Sequence, residues 1–115
     1  MQMVYRLDSK IVLHIPHFAV VDESLVAVDY HGFLSRLEGA LMDFGMDSWY
    51  ISNALSCYKG KVFDESLLTV FASGDYADCI IDIFKEVIEE CKDEMKQEAY
   101  AYEDSGKLFI IKDIC

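Results

Sequence analysis

One stretch, DSWYISNALSCYKGKVFDESLLTVFAS from Asp47 to Ser73, restricts the folds open to this chain more than any other. Trp49, Ile51, Asn53, Leu55 and Cys57 alternate with Tyr50, Ser52, Ala54, Ser56 and Tyr58. After Lys59-Gly60-Lys61, Leu68, Val70 and Ala72 alternate with Phe63, Leu67, Thr69 and Phe71. A period of two belongs to a strand, so two antiparallel strands joined by a tight turn are predicted. Both faces of this hairpin carry apolar side chains. One face can take helices, and the other is too apolar to stand bare in water.

The helices that would cover the first face are visible on either side. Phe33, Leu34, Leu37, Leu41 and Phe44 recur at helical spacing, with Asp29 or Tyr30 at the start and Gly45 placed to end the helix. Gly39, in its middle, suggests a close approach to the sheet. The stronger helix starts near Ser73-Gly74-Asp75 and ends at Gln97, with Ala77, Ile80, Ile81, Phe84, Val87, Ile88, Cys91 and Met95 as an unbroken stripe.

Alternation in Met3 to Leu7 and Lys10 to Ile15 predicts a first strand bounded by Pro16. His17 to Asp29 is expected to be an ordered connection into the first helix. Ala99 to Glu103 and Lys107 to Lys112 form a closing hairpin around a three-residue Asp104-Ser105-Gly106 loop. The predicted order is β, α, β, β, α, β, β in a single α+β domain covering residues 1–115.

That order is similar to the ferredoxin-like plait, an antiparallel βαββαβ sheet with two helices on one face, here with an added C-terminal strand. Local features also resemble small plait proteins to which no activity is assigned: His14-Ile15-Pro16 before the first helix, Tyr58-Lys59-Gly60 followed by Asp64-Glu65-Ser66, and Gln97-Glu98 before the last strands. The resemblance implies a fold, and a fold does not carry an activity with it.

Composition narrows the function classes. At 115 residues the chain suffices for one core without a structural metal. No membrane span or signal peptide is recognisable, so a soluble, cytoplasmic protein is expected. Cys57, Cys79, Cys91 and Cys115 form no CxxC pair, which favours reduced thiols over disulfides or zinc, and no cofactor is expected. With 21 acidic residues against 10 basic, a net charge of −11 argues against direct contact with nucleic acid or an anionic membrane.

The imbalance is concentrated between Asp75 and Glu98, where nine acidic residues face three basic ones. The leading functional expectation is therefore a non-enzymatic acidic inhibitor or regulator. Asp78, Asp82, Glu86, Glu89, Glu90, Asp93 and Glu94 would mimic phosphates for a basic, nucleic-acid-handling partner. The alternative is a small-molecule-binding or catalytic plait, with a pocket on the aromatic sheet face and polar groups such as His14, Asn53 and Glu65. The same face, with Tyr50, Tyr58, Phe63, Leu67 and Phe71, is expected to pair two copies into a homodimer.

No catalytic or metal-binding set follows from spacing alone. His14 and His17 are three apart on an extended segment and point to opposite faces, and His31 sits at a helix start. Asp64 and Glu65 likewise diverge, although Glu65 could meet a Tyr or His from another strand. No glycine-rich phosphate loop or GxSxG nucleophile signature is present.

Overall fold

The computed structural model describes residues 1–58 and 60–112, and of Tyr58 only the backbone; Lys59 and Cys115, which entered the expectations above, lie outside the described residues, as does the Tyr58 side chain. Two helices lie against a five-stranded antiparallel sheet, and a separate two-stranded hairpin follows the first strand. The strands are β1 (Ser9–Pro16), β2 (Phe18–Val21), β3 (Ser24–Ala27), β4 (Trp49–Tyr58), β5 (Lys61–Ala72), β6 (Ala99–Asp104) and β7 (Lys107–Lys112). The helices are α1 (Tyr30–Phe44) and α2 (Ala77–Met95), the latter preceded by a 3-10 turn at Gly74–Tyr76.

In the large sheet the strands run β4-β5-β1-β6-β7. The hairpin read from Asp47 to Ser73 becomes the β4–β5 ribbon, with Trp49 opposite Val70 and Ile51 opposite Leu68. β1 then enters between β5 and β6, pairing Leu13 with both Leu68 and Tyr102. Opposed residues share a face, so Ile11, Leu13, Ile15, Leu68, Val70 and Ala72 form one apolar surface. All six are buried against the helices.

Onto that surface α1 presents Phe33, Leu37 and Leu41, and α2 presents Ile80, Phe84, Val87, Cys91 and Met95. Phe33 stacks on Tyr100 at 5.8 Å between centroids and meets the edge of Phe84 at 6.1 Å. The Asp29 carboxylate caps α1 by accepting from the Gly32 N–H at 3.1 Å, and Gly45 ends it with φ 98. Gly39 has nothing within 4 Å of a Cβ built on it, so the expected close approach to the sheet is absent. Phe44, the last residue of α1, is 41% exposed instead of buried, and its ring meets the edge of Tyr76 at 6.0 Å.

Three local expectations change. The first strand begins at Ser9, leaving Met3, Val4 and Tyr5 exposed in an arm outside any strand. The connection after Pro16 is the β2–β3 hairpin, turning on Asp22 and Glu23, both left-handed with φ 51 and 67. Those angles are usually left to Asn-Gly or Asp-Gly, and this is why the hairpin does not announce itself in the sequence. The closing β6–β7 hairpin turns on two residues, Ser105 and Gly106, with φ 55 and 81, so Asp104 remains in its strand.

Candidate functional site

The helix-free sheet face is built from the alternate positions: Val12, His14 and Pro16 on β1, Phe63, Glu65, Leu67, Thr69 and Phe71 on β5, Tyr50 and Ser56 on β4 and Ala101 and Glu103 on β6. β7 adds Leu108 and Ile110, the partners of Glu103 and Ala101. Tyr100, Tyr102 and Phe109 point to the helix side, where Tyr102 stacks on Phe109 at 5.1 Å. One end of the open face is covered by the β2–β3 hairpin. Its position is held by a bond from the Gln97 amide to the Phe18 carbonyl oxygen at 2.8 Å.

Between this hairpin and the sheet lies a cavity of about 480 Å³. Phe18, Val20 and Leu25 of the hairpin face Phe63, Leu108 and Ile110 of the sheet across it. Among these apolar walls the polar groups are few. His14, Glu65 and Ser56 lie on the sheet side, and Lys96, Gln97, Glu98 and Lys112 complete the polar lining. A mostly apolar concavity with a small convergent polar set is the form small-molecule sites take.

His14 holds this polar set together. Its Nδ1 donates to Glu65 Oε1 at 3.0 Å and its Nε2 donates to Glu103 Oε2 at 2.7 Å. Carboxylate oxygens only accept, so a ring bonded to one at each nitrogen carries both protons and is an imidazolium. Burial pulls the His14 pKa down, but the bonds and charges of Glu65 and Glu103 outweigh it and hold the imidazole above its ordinary 6.5. Glu65 is itself buried, at 8% exposure. Burial raises its pKa, while bonds from His14 and Ser56 and the charges of His14 and His17 bring it below the ordinary carboxylate value. With both ring protons in place, the imidazolium lies between two carboxylates, of which Glu65 borders the apolar cavity.

His17 belongs to a different setting. Its Nε2 lies 2.7 Å from Ser66 Oγ, on the helix side, and its ring stacks on Tyr30 at 3.6 Å, with Tyr30 in turn 4.1 Å from His31. Burial, opposed by Asp64 and reinforced by His31, lowers its pKa. The divergence of His14 and His17 expected from their spacing is thus observed. Of the pocket residues named from sequence, His14 and Glu65 meet directly. Asn53 does not join them, because it pairs with Ser66 and shares that residue's face.

Glu103 escaped sequence reasoning. It lies 89 residues from His14, and only the β1–β6 register, Val12 opposite Glu103, brings it to the ring. The signal available was the alternation Ala99, Ala101, Glu103, which sets a charge on an otherwise small-residue face. Phe63 lines the cavity, as the aromatic-face reading required, whereas Tyr50 and Phe71 form a ring pair at 6.0 Å that is not part of its lining.

No family model matches the chain, and no curated protein matches its sequence. Solved structures do resemble it. A phage SAM lyase in complex with S-methyl-5'-thioadenosine aligns with a TM-score of 0.62 at 10% identity, covering 98% of this chain and 95% of its own. A phage SAM lyase in its apo state aligns with a TM-score of 0.58 at 13% identity, covering 99% and 98%. At these identities the likeness is one of fold, and it extends over nearly the whole of each chain.

This likeness overturns the expectation of a non-enzymatic acidic inhibitor, since the fold shared along almost the full chain is one that enzymes use. The charge on α2 also has a structural account. Asp78, Asp82, Glu86, Glu89, Glu90, Asp93 and Glu94 are exposed, as a solvent face of an amphipathic helix should be. Glu90 pairs with Arg36 of α1 at 3.1 Å, and Glu89 pairs with Lys92 at 2.8 Å. The cluster around His14 lies on the other side of the sheet from this helix.

Proposed function

We propose that this protein is a small-molecule enzyme of ferredoxin-like architecture that binds S-adenosylmethionine in the cavity between the β2–β3 hairpin and the sheet and cleaves it as a lyase. The observation that carries the reading is the buried Glu65 carboxylate at the wall of the 480 Å³ apolar cavity. An adenosyl sulfonium joins a flat apolar body to a positive charge, and this cavity offers apolar walls beside a carboxylate. The full-length likeness to phage SAM lyases supports the choice of ligand. The strand order β4-β5-β1-β6-β7, with β7 added at the edge, supports the plait.

As the bond between sulfur and the γ-carbon of the amino-acid chain breaks, its electron pair stays on sulfur and the ligand's own α-carboxylate oxygen bonds to that carbon, giving the neutral thioether S-methyl-5'-thioadenosine and a lactone. As the cation is neutralised, a nearby carboxylate that stabilises the sulfonium must not hold it too tightly. Ser56, which also bonds Glu65, moderates that hold. Incubating the protein with S-adenosylmethionine and separating the products by chromatography tests the reading. S-methyl-5'-thioadenosine should accumulate with wild-type protein and at least tenfold more slowly with Glu65→Gln, on the scale of losing a positioned charge. Absence of turnover and of ligand binding would remove the proposal.

The part of the open face beyond the cavity, where Tyr50 is 50% exposed beside Phe71, is proposed to pair with a second copy. A monomer in light scattering across the working concentration range would refute that pairing.

A further inference from the structure

The His14 cluster contains an internal substitute for the ligand's charge. Glu65 borders the cavity, whereas Glu103 reaches His14 from the other ring nitrogen and is not part of the cavity lining. The two protons of the imidazolium are therefore not equivalent. The Nδ1 proton lies between the ring and the cavity carboxylate, and the Nε2 proton is fixed to Glu103 at the shorter distance of 2.7 Å. If the Nδ1 proton leaves, the ring that remains is a neutral tautomer already bonded through Nε2–H to Glu103. It then turns a lone pair instead of a charge toward the cavity.

We propose that Glu65 is the seat for the positive group of the ligand and that the Nδ1 proton of His14 occupies it in the empty protein, leaving when a cationic ligand binds. Two positive charges against one buried carboxylate repel strongly where the surroundings are apolar. Loss of the Nδ1 proton removes the repulsion and frees a Glu65 lone pair. Burial already opposes the charged ring, and the bonds and charges of Glu65 and Glu103 offset it. A ligand cation that shares Glu65 withdraws part of that support. Glu103 thereby acts as a positioning residue, selecting which proton leaves.

The charged groups around the ring restrict what else could titrate with it. Glu65 on β5 and Glu103 on β6 bond it directly, and His17 beyond β1 acts on Glu65 only when it is protonated. Lys96 and Glu98 after α2 and Lys112 on β7 line the cavity. His17, whose pKa is lowered, is neutral over most of the range from about pH 6 to 8. The proton exchanged on binding in this window is therefore that of His14.

This inference rests on the adenosyl-ligand reading, and two probes separate their failures. Sinefungin, a stable adenosine analogue with an ammonium in place of the sulfonium, supplies the cation, and S-methyl-5'-thioadenosine supplies the same body without charge. Affinities are measured by calorimetry from pH 6 to 8. Below the pKa of His14 in the free protein, sinefungin should lose about tenfold in affinity per pH unit lost, the slope for one displaced proton. S-methyl-5'-thioadenosine should show no such slope. Repeating the sinefungin titration in buffers of different ionisation enthalpy should count a proton released from wild-type protein at pH 6, with the count falling as the pH rises through the pKa of His14. In His14→Gln the slope should vanish and the affinity at pH 6 should exceed that of wild type. Sinefungin binding without proton release, or with a slope that persists in His14→Gln, overturns the inference and leaves the ligand reading intact. If neither probe binds at any pH, both fall together. The proton count needs only the wild-type protein, so a poorly folding variant does not leave the question open.

Discussion

At the scale of single residues, the site and the core contain titratable groups whose roles can be separated by pH and by substitution. His14 has a raised pKa in the folded protein, so its pairing stabilises the fold fully below the unfolded value of 6.5 and loses that contribution as pH rises through the folded value. Glu65 is depressed, so its contribution is present above about 4.5 and is lost as pH falls through its folded value. Their joint stabilisation is therefore greatest between about pH 4.5 and 6.5. His17, with its lowered pKa, works in the opposite sense to His14. For that reason the difference between wild type and His14→Gln is the quantity to follow. In denaturant melts that difference should be largest near pH 6 and shrink toward pH 8.5; an equal difference at both values would contradict the ion-paired state. In the core, the Tyr100 hydroxyl is buried without a hydrogen-bond partner among the described residues, and burial pushes its pKa up. Its aromatic contacts with Phe33 and Phe84 need only the ring. Tyr100→Phe should consequently stabilise by about 1 kcal/mol, since an unsatisfied buried hydroxyl costs about 1–3 kcal/mol. A loss of more than 1 kcal/mol in chemical denaturation would show that the hydroxyl has a partner.

At the scale of elements, caps and turns place the cavity walls. Asp29 fixes the start of α1 directly after the β2–β3 hairpin, and the Val28 N–H donates to the His17 carbonyl oxygen at 3.1 Å, closing the hairpin's base. Asp29→Ala removes the side-chain cap and should cost about 1 kcal/mol in chemical denaturation. The hairpin itself turns on Glu23 with φ 67, an angle that suits glycine better than a residue with a Cβ. Glu23→Gly should therefore be neutral or stabilising by under about 1 kcal/mol, whereas a β-branched Glu23→Val should destabilise. Equal stabilities of the two variants would indicate that the turn relaxes. The β6–β7 turn shows how a small error of reading arises. Counting Asp104, Ser105 and Gly106 as a loop ignores that two consecutive left-handed residues close a tighter hairpin, which keeps Asp104 paired with Lys107.

Across the whole molecule, one side of the sheet packs against the helices and the other carries the His14 cluster and the cavity. Phe84 is fully buried where α2 meets Phe33 and Tyr100, so Phe84→Ala should cost about 3–5 kcal/mol and lower the unfolding midpoint of both helices together. Separate transitions for α1 and α2 in thermal melts would show that the core is not shared. The alternation in 49–72 and the helical stripes in 30–44 and 77–95 made the two-helix, antiparallel architecture legible, because the residues that must leave water recur with the period of their own backbone. The same locality exposed the limits of the acidic α2 face: its charge could be counted, but its pairing with Arg36 on another helix could not. The β2–β3 hairpin was hidden because its turn uses Asp and Glu in place of glycine. The sequence by itself therefore determined both helices and five of the seven strands, the apolar stripe of each helix, and that His14 and Glu65 point away from the helices. Only the tertiary structure decided that Glu65 and Glu103, 51 and 89 residues from His14, would share its ring beside a cavity roofed by the hairpin. The physical reason is that periodicity reports the direction of a side chain relative to its own strand, while the partner it meets is set by strand order and register.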